Sequence, residues 1–79
     1  MFYVYVIKSL KNNRNYIGQT NNLKKRIEEH NSGQSKYTSL TRPFKLIHSE
    51  EFDNRTDAVR RELFLKSGQG REWIKKNFG

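Results

Sequence analysis

The feature that most constrains the fold is an unbroken apolar and aromatic run, FYVYVI, at residues 2–7. The run is shorter than a typical globular helix, and it is rich in the Val, Ile and Tyr residues that favour strands. A strand without polar alternation has both of its faces buried. The run therefore predicts a strand that is covered on both sides, and the rest of the chain must supply both covers.

Two further strands are predicted downstream of the first. Residues 11–15 are rich in asparagine, which tolerates left-handed backbone, and they indicate a turn. Residues 15–19 then form the second strand of a hairpin, and residues 44–52 form a third strand. The polar and basic residues 34–43 indicate a loop between the hairpin unit and the third strand.

Three helices are predicted from capping residues and helical apolar spacing. They cover residues 23–30, 57–67 and 71–78. The candidate N-caps are Thr20, Asn21 or Asn22 for the first helix, and Asn54 or Thr56 for the second. The first helix should end near residues 31–33 and the second at Gly68. Strands and helices in this order imply a small α+β domain.

Length and charge narrow the class of protein. A chain of 79 residues is expected to be one domain, because a core this small cannot be divided. Sixteen Lys and Arg residues against eight Asp and Glu residues give a net charge of +8, which concentrates polyanions around the protein. Nucleic acid is therefore the expected partner, ahead of an anionic membrane, which requires an exposed apolar helix face.

Signals for secretion and for membrane insertion are missing from the sequence. The chain has no cysteine, so disulfides and thiolate metal sites are excluded. Its N-terminus lacks the basic segment and the small-residue cleavage site of a secretion signal, and no stretch approaches the roughly 20 apolar residues of a membrane span. We expect a monomeric cytoplasmic protein.

The first predicted helix carries two basic side chains along one edge. At about 100° per residue, Leu23 and Ile27 form an apolar stripe. Arg26 and His30 lie beside this stripe, one helical turn apart. Turned away from it are Lys24, Lys25, Glu28 and Glu29. Arg26 and His30 either fill space at the helix edge or form the basic side of a phosphate site.

The second predicted strand brings a tyrosine and a glycine to the start of this helix. At Gly18, two residues after Tyr16, a missing side chain lets a ligand approach the backbone. Either residue alone has a simpler explanation, as a core tyrosine or a bulge glycine. Beside the basic helix edge, the pair favours a site for a phosphate group.

The second predicted helix places a carboxylate inside an apolar arc. The arc is formed by Ala58, Val59, Leu63 and Leu65; Glu62 and Lys66 fall inside it and Arg60 and Arg61 outside. Desolvating an ionised carboxylate costs several kcal/mol. An exposed pair between Glu62 and Lys66 contributes only about 0.3–0.5 kcal/mol. The pattern therefore favours a cleft in which Glu62 binds a divalent cation over a purely structural pair.

Three other polar or aromatic residues are weaker candidates. Asn77 falls in phase with apolar residues of the last helix, where its amide either caps backbone or, less commonly, contacts a ligand. Tyr37 and Arg42 lie in the basic loop and can stack on and pair with nucleic acid.

Together these residues resemble the GIY-YIG endonuclease family, in particular its small single-domain bacterial members. The matching positions are Tyr3-Val4-Tyr5, Tyr16-Ile17-Gly18, Arg26, His30, and Glu62 followed by Lys66. They span nearly the whole chain. The resemblance implies a three-stranded antiparallel sheet flanked by helices, with a nuclease site that uses one divalent metal.

The resemblance also implies a role for each matching residue. Tyr5 and Tyr16 are the paired tyrosines, one of which activates or positions the attacking water, and Gly18 permits close packing. By the same resemblance, Arg26 holds the scissile phosphate and His30 assists proton transfer. Glu62 binds the metal. Further contacts to nucleic acid are expected from Gly18, Lys24, Lys36, Tyr37, Arg42 and Lys66.

Two positions differ from the family pattern. Tyr3 stands where the family name has glycine, and Gln19 stands where some members have lysine. The second difference removes a cation, so the stabilisation of developing charge rests more on Arg26 and Lys66.

The expected function is metal-dependent hydrolysis of phosphodiester bonds in nucleic acid, DNA more than RNA, in repair or recombination. The expected cofactor is Mg²⁺ or Mn²⁺. This function requires Glu62 to face Tyr5, Tyr16 and Arg26 across a shared hollow. Two alternatives stay open, a nucleic-acid-binding module with weak or no activity and a basic protein-interaction domain.

Overall fold

The computed structural model describes residues 1–34 and 40–78. In chain order these residues form β1 (Phe2–Ser9), β2 (Asn15–Thr20), α1 (Leu23–Ser32), β3 (Phe44–Phe52), α2 (Arg55–Lys66) and α3 (Gly68–Phe78). The strands form one antiparallel sheet in the order β2-β1-β3. The predicted α+β class and three-stranded antiparallel sheet are confirmed. Within these described ranges, no helix has the length and apolar character needed to cross a membrane.

The central strand β1 is covered on both faces, as the FYVYVI run predicts. Val4 and Val6 point to one face, where they are buried with residues of the two later helices, Ala58, Leu65 and Ile74. Tyr5 and Ile7 point to the other face, where they are buried with Phe44 and pack against Leu23 and Ile27 of α1. Successive strand side chains alternate between faces. We call these two sides the α2 face and the α1 face.

Turn and cap positions follow the predicted chemistry. Asn13 adopts left-handed backbone, with φ of 62°, in the β1–β2 turn. Among the candidate caps, the side chain of Asn22 accepts the Lys25 N–H at the start of α1, and that of Asn54 accepts the Asp57 N–H at the start of α2. Gly33, in left-handed backbone, ends α1.

The junction between α2 and α3 differs from the prediction. The second helix ends at Lys66, just before the predicted last residue Ser67, and the third begins at Gly68 rather than at Arg71. Ser67 separates them, because its backbone is extended, its carbonyl oxygen accepts the Arg71 N–H, and its hydroxyl oxygen accepts the Gly70 N–H. A serine that caps the next helix therefore replaces the expected glycine stop.

The prediction of which α2 residues are buried was also partly wrong. Leu63 is 63% exposed, whereas Arg61 is half-buried, paired with Glu50 of β3 and placed over the Trp73 ring. The reason is that α2 contacts both the sheet and α3. Its covered surface is therefore wider than one arc and is turned towards Arg61.

Candidate functional site

Tyr5, Arg26 and His30 form a hydrogen-bonded chain between β1 and α1. The Tyr5 hydroxyl and His30 Nε2 share a hydrogen bond of 3.0 Å, and Arg26 Nε–H donates to the Tyr5 oxygen over 3.4 Å. Tyr5 is only 3% exposed and His30 only 5%. The predicted basic edge of α1 thus contacts a motif tyrosine, because strand alternation turns Tyr5 towards the helix on which Arg26 and His30 lie one turn apart.

The environment of this chain keeps the imidazole neutral and the guanidinium charged. Burial lowers the pKa of His30, the Arg26 charge lowers it further, and Glu29 opposes both effects. The hydrogen bond to Tyr5 raises the pKa of Arg26 despite its partial burial. Glu29, predicted to turn away from the apolar stripe, pairs with Arg26 at 3.3 Å and keeps a side-chain exposure of 30%. A phenol placed between a neutral imidazole and a cation can donate to one and accept from the other.

Gly18 makes room for Tyr5. The two residues are direct partners across the β1–β2 ladder. A Cβ at position 18 would lie 2.5 Å from the Tyr5 hydroxyl oxygen and 2.7 Å from Cζ. The expectation that a ligand uses this space therefore needs correction, because the Tyr5 side chain occupies it. The close packing that the family resemblance implies for Gly18 matches this geometry.

Tyr16 occupies a more open position on the same α1 face. It is half-buried, and its ring packs edge-on against Phe44 at 5.4 Å between centroids. The Thr41 hydroxyl donates to the Tyr16 oxygen over 3.4 Å. Hydrogen bonds from Thr41 and then Asn12 lower the pKa of Tyr16, with help from the Arg14 charge and against a smaller effect of burial. Tyr16 is thus a partly accessible phenol that ionises more readily than an ordinary tyrosine.

Sequence reasoning missed several of these supporting residues. Thr41 and Asn12 lie in connecting segments with no pattern that marks them. Phe44, predicted only as the start of a strand, packs against the rings of Tyr16 and His30. Asn31 fixes this strand end, because its side chain accepts the Phe44 N–H at 2.6 Å. The Asn31 signal was present, since an Asn at a helix end commonly bonds to nearby backbone.

Glu62 does not join this cluster in the structure. It lies on α2, which covers the opposite face of the sheet, and its carboxylate accepts a hydrogen bond of 2.7 Å from Lys66 Nζ. The Glu62 side chain is 16% exposed and that of Lys66 is 50% exposed, so the pair is open to solvent. Glu62 thus contacts Lys66 and makes no hydrogen bond to the chain of Tyr5, Arg26 and His30, and the expectation that it faces the two phenols across one hollow stays a prediction. The ion pair considered as the alternative is what the structure contains.

A cleft at the outer edge of β2 links the two faces. It has a volume of about 880 Å³ and is lined by consecutive residues of the β2 edge, including Tyr16, and by side chains from α2 and α3, including Lys66. Tyr16 belongs to the α1 face, and Lys66 holds Glu62 on the α2 face. The cleft is thus the described feature that brings both halves of the predicted site to one surface.

The remaining predicted residues are more scattered. Lys24 is exposed on α1, and the Arg42 guanidinium contacts Gly33 at the end of α1, where a cation is favoured. Lys36 and Tyr37 lie outside the described residues. The Asn77 amide donates to the Trp73 carbonyl at 2.7 Å, which is the backbone-capping use.

Glu62 is the carboxylate that the sequence analysis assigns to a metal ion. Within residues 1–34 and 40–78, no group of three or more His, Cys, Asp and Glu side chains could hold a metal ion. Magnesium commonly binds through one or two carboxylates, with water and substrate phosphate completing the shell. Glu62 fits that mode, provided that Lys66 moves aside, but it does not fit a metal site built from protein alone.

Comparison with known proteins places this arrangement in a family. The model of the GIY-YIG catalytic domain matches residues 1–77. The chain belongs to the GIY-YIG family. Membership supports a nuclease-type enzyme that interacts with nucleic acid.

Relatives that resemble the chain include UPF0213 proteins of several bacteria. A UPF0213 protein of Clostridium perfringens is 46% identical over 67 residues, which cover 84% of this chain and 71% of that protein. A UPF0213 protein of Staphylococcus saprophyticus is 39% identical over 66 residues, which cover 82% of this chain and 79% of that protein. The solution NMR structure of a UPF0213 protein of Bacillus halodurans matches with a TM-score of 0.59 and 32% identity, over 100% of this chain and 87% of that one.

Proposed function

We propose that this GIY-YIG protein is a metal-dependent endonuclease that hydrolyses phosphodiester bonds in DNA, in a repair or recombination setting. The observation that carries the proposal is the hydrogen-bonded chain of Arg26, Tyr5 and His30 beside a second tyrosine of lowered pKa. A guanidinium binds phosphate oxygens bidentately and stabilises their charge. A phenolate near a bound phosphate can take a proton from water.

The two tyrosines have different roles in this proposal because they differ in their exposure to solvent. Tyr16 is half-buried and its pKa is lowered, so it is the tyrosine better suited to deprotonate the attacking water. Tyr5 is almost fully buried and both sides of its hydroxyl are engaged, so it acts as a positioning residue. This division follows from exposure, because a general base must come within hydrogen-bond reach of the proton that it removes.

Arg26 holds the scissile phosphate and stabilises its developing charge. The Tyr5 oxygen accepts the Arg26 Nε–H, and the Glu29 carboxylate accepts a hydrogen from Arg26 Nη1, which fixes the guanidinium plane. In the tautomer in which His30 Nε2 accepts, the Tyr5 hydroxyl donates to His30 and leaves its lone pairs to Arg26. Neutral His30 can also take a proton that passes through Tyr5.

Glu62 is the residue proposed to hold Mg²⁺ or Mn²⁺. When bound, the metal supplies positive charge to the phosphate oxygens and the attacking water. The support for Glu62 is its partly exposed carboxylate and the position of its partner Lys66 in the cleft that also contains Tyr16. Lys66, once displaced, remains close enough to contact a phosphate.

The test compares Arg26→Ala and Glu62→Ala with matched variants in a cleavage assay on structured DNA and RNA substrates, with Mg²⁺, Mn²⁺ or a chelator. The matched variants are Arg60→Ala and Glu72→Ala, which remove exposed charges of the same kind. Each site variant should lose at least about 100-fold in rate, as loss of a transition-state contact does. The matched variants should keep the wild-type rate.

The same experiment separates the competing functions. Undiminished cleavage by Arg26→Ala or Glu62→Ala, with unfolding midpoints equal to wild type, contradicts the site. Salt-sensitive DNA binding without turnover in either metal selects the binding module instead. Absence of DNA binding at low salt selects the protein-interaction domain.

A further inference from the structure

The cleft at the outer edge of β2 is lined by cations from three separate elements. Arg14 comes from the β1–β2 turn, Lys66 from the end of α2, and Arg71 and Lys75 from α3. None of the eight lining residues is acidic. Four cations that meet around one concave surface focus a positive potential there. Nothing in the packing of the fold requires this convergence.

Three of these cations are not neutralised within the protein. In the part of the chain that the structure describes, no carboxylate forms an ion pair with Arg14, Arg71 or Lys75. Lys66 pairs with Glu62. All four cationic side chains are exposed. Their charges are therefore available to a polyanion.

The cleft runs beside an open strand edge and is lined by cations, as grooves that bind single-stranded nucleic acid are. One wall is β2, which is the outer strand of the sheet and so presents unpaired backbone groups along its edge. Charged grooves of this kind follow the phosphates of a single strand. The apolar lining residues are unsuited to a membrane, because Ile74 is only 3% exposed and Ile17 packs against the core.

We infer that this cleft, through Arg14, Arg71 and Lys75, binds the phosphate backbone of a single nucleic-acid strand and guides it to Tyr16. The inference rests on the proposed nuclease function and adds where the substrate strand runs. Tyr16 lies both in the cleft and on the face that carries Arg26. A strand that follows the edge of β2 therefore reaches the proposed base without crossing the sheet.

The test measures binding of a labelled single-stranded DNA oligonucleotide in a chelator, so that it does not depend on cleavage. The variant is Arg71→Ala/Lys75→Ala, and the matched control is Lys45→Ala/Arg60→Ala, which removes the same charge from exposed positions outside the cleft. Arg14→Ala serves as a second variant on a different element. The slope of log affinity against log salt should become shallower by about 1.4 for Arg71→Ala/Lys75→Ala, about 0.7 per lost phosphate contact.

Each outcome decides the inference. A control slope as shallow as that of Arg71→Ala/Lys75→Ala, an unchanged slope in Arg14→Ala, or absence of wild-type binding at low salt overturns it. A duplex probe or an anionic phospholipid vesicle that loses as much affinity as the single strand also overturns it. Wild-type binding with the expected slopes but no cleavage in metal supports the cleft and contradicts only the nuclease proposal.

Discussion

At the scale of single residues, two tyrosines on one sheet face differ because of their neighbours. Tyr5 fills the space beside Gly18 and bonds to His30 and Arg26, so it is buried and orders the cation. Tyr16 remains half-exposed, with Thr41 and Asn12 stabilising its ionised form. The sequence motif marks both residues alike, but their surroundings suit them to different tasks.

The pH dependence of cleavage tests the role of Tyr16. Since phenolate is the active form and the Tyr16 pKa is below 10.0, the single-turnover rate should rise with pH, about tenfold per unit below that pKa. Thr41→Val removes the largest cause of the lowered pKa, so its rate rise should move to higher pH and its rate near pH 7 should fall. Thr56→Val, which removes an exposed hydroxyl at the start of α2, should leave the profile unchanged. A Tyr16→Phe variant with the wild-type profile would contradict the assignment.

At the scale of elements, the packing of α3 against α2 depends on two residues with small side chains, Ser67 and Gly70. Ser67 ends one helix and caps the next. Gly70 is buried, and an added Cβ would collide with the Phe64 carbonyl oxygen and the Leu65 backbone. Backbone atoms cannot shift to relieve such a clash, whereas the end of a flexible side chain can. The close approach of α3 to α2, which carries Lys75 and Arg71 to the cleft, therefore requires glycine here.

Replacement of this glycine should destabilise the protein. Gly70→Ala should lower the free energy of unfolding by about 1–3 kcal/mol, as overpacking of a buried site does. Gly68→Ala is the matched control, because an added Cβ there meets nothing within 4 Å. It should leave stability unchanged or raise it slightly, since Ala is the better helix former. Urea unfolding measures both, and equal stabilities of the two variants would refute the explanation.

At the scale of the whole molecule, one carboxylate connects three elements. Glu50 of β3 receives two hydrogen bonds from Arg61 of α2, at 2.9 and 3.0 Å, and one contact with His48 at 2.7 Å. Arg61 in turn lies over Trp73 of α3. Burial alone raises the pKa of Glu50, but the hydrogen bonds from Arg61 and His48 outweigh it and the net pKa is lowered. This network lies on the side of the sheet opposite the α1 face, and it joins β3, α2 and α3 there.

The lowered pKa predicts how stability depends on pH. A carboxylate with a depressed folded pKa stabilises the protein above its ordinary pKa of 4.5, and the contribution is lost as pH falls through the folded value. Glu50→Gln should therefore be less stable than wild type near neutral pH, and the difference should shrink below pH 4.5. Glu51→Gln, at an exposed neighbouring position, should show no such trend. A Glu50→Gln deficit that is constant with pH would contradict the network.

Local patterns predicted most of the elements and the shared edge of Arg26 and His30 on α1. Asn22 and Asn54 cap helices where expected, and Arg26 and His30 share an edge, because caps and helical phase depend on residues within one or two turns. Thr41 and the role of Ser67 were missed. The partner of Thr41 is Tyr16, 25 residues away in the sequence, and only folding brings the two close. The partners of Ser67 are the nearby Gly70 and Arg71, so the sequence did carry a local capping signal there.

The sequence by itself determined the order of strands and helices and the burial of β1 on two faces, since periodicity is a local property of the chain. Only the tertiary structure decided that α1 covers the face of Tyr5 and that α2 covers the face of Val4. The physical reason is that both faces of β1 are apolar, so either face can accept an apolar helix. Helical periodicity predicts which side of a helix is buried, but it does not predict which face of the sheet that side contacts.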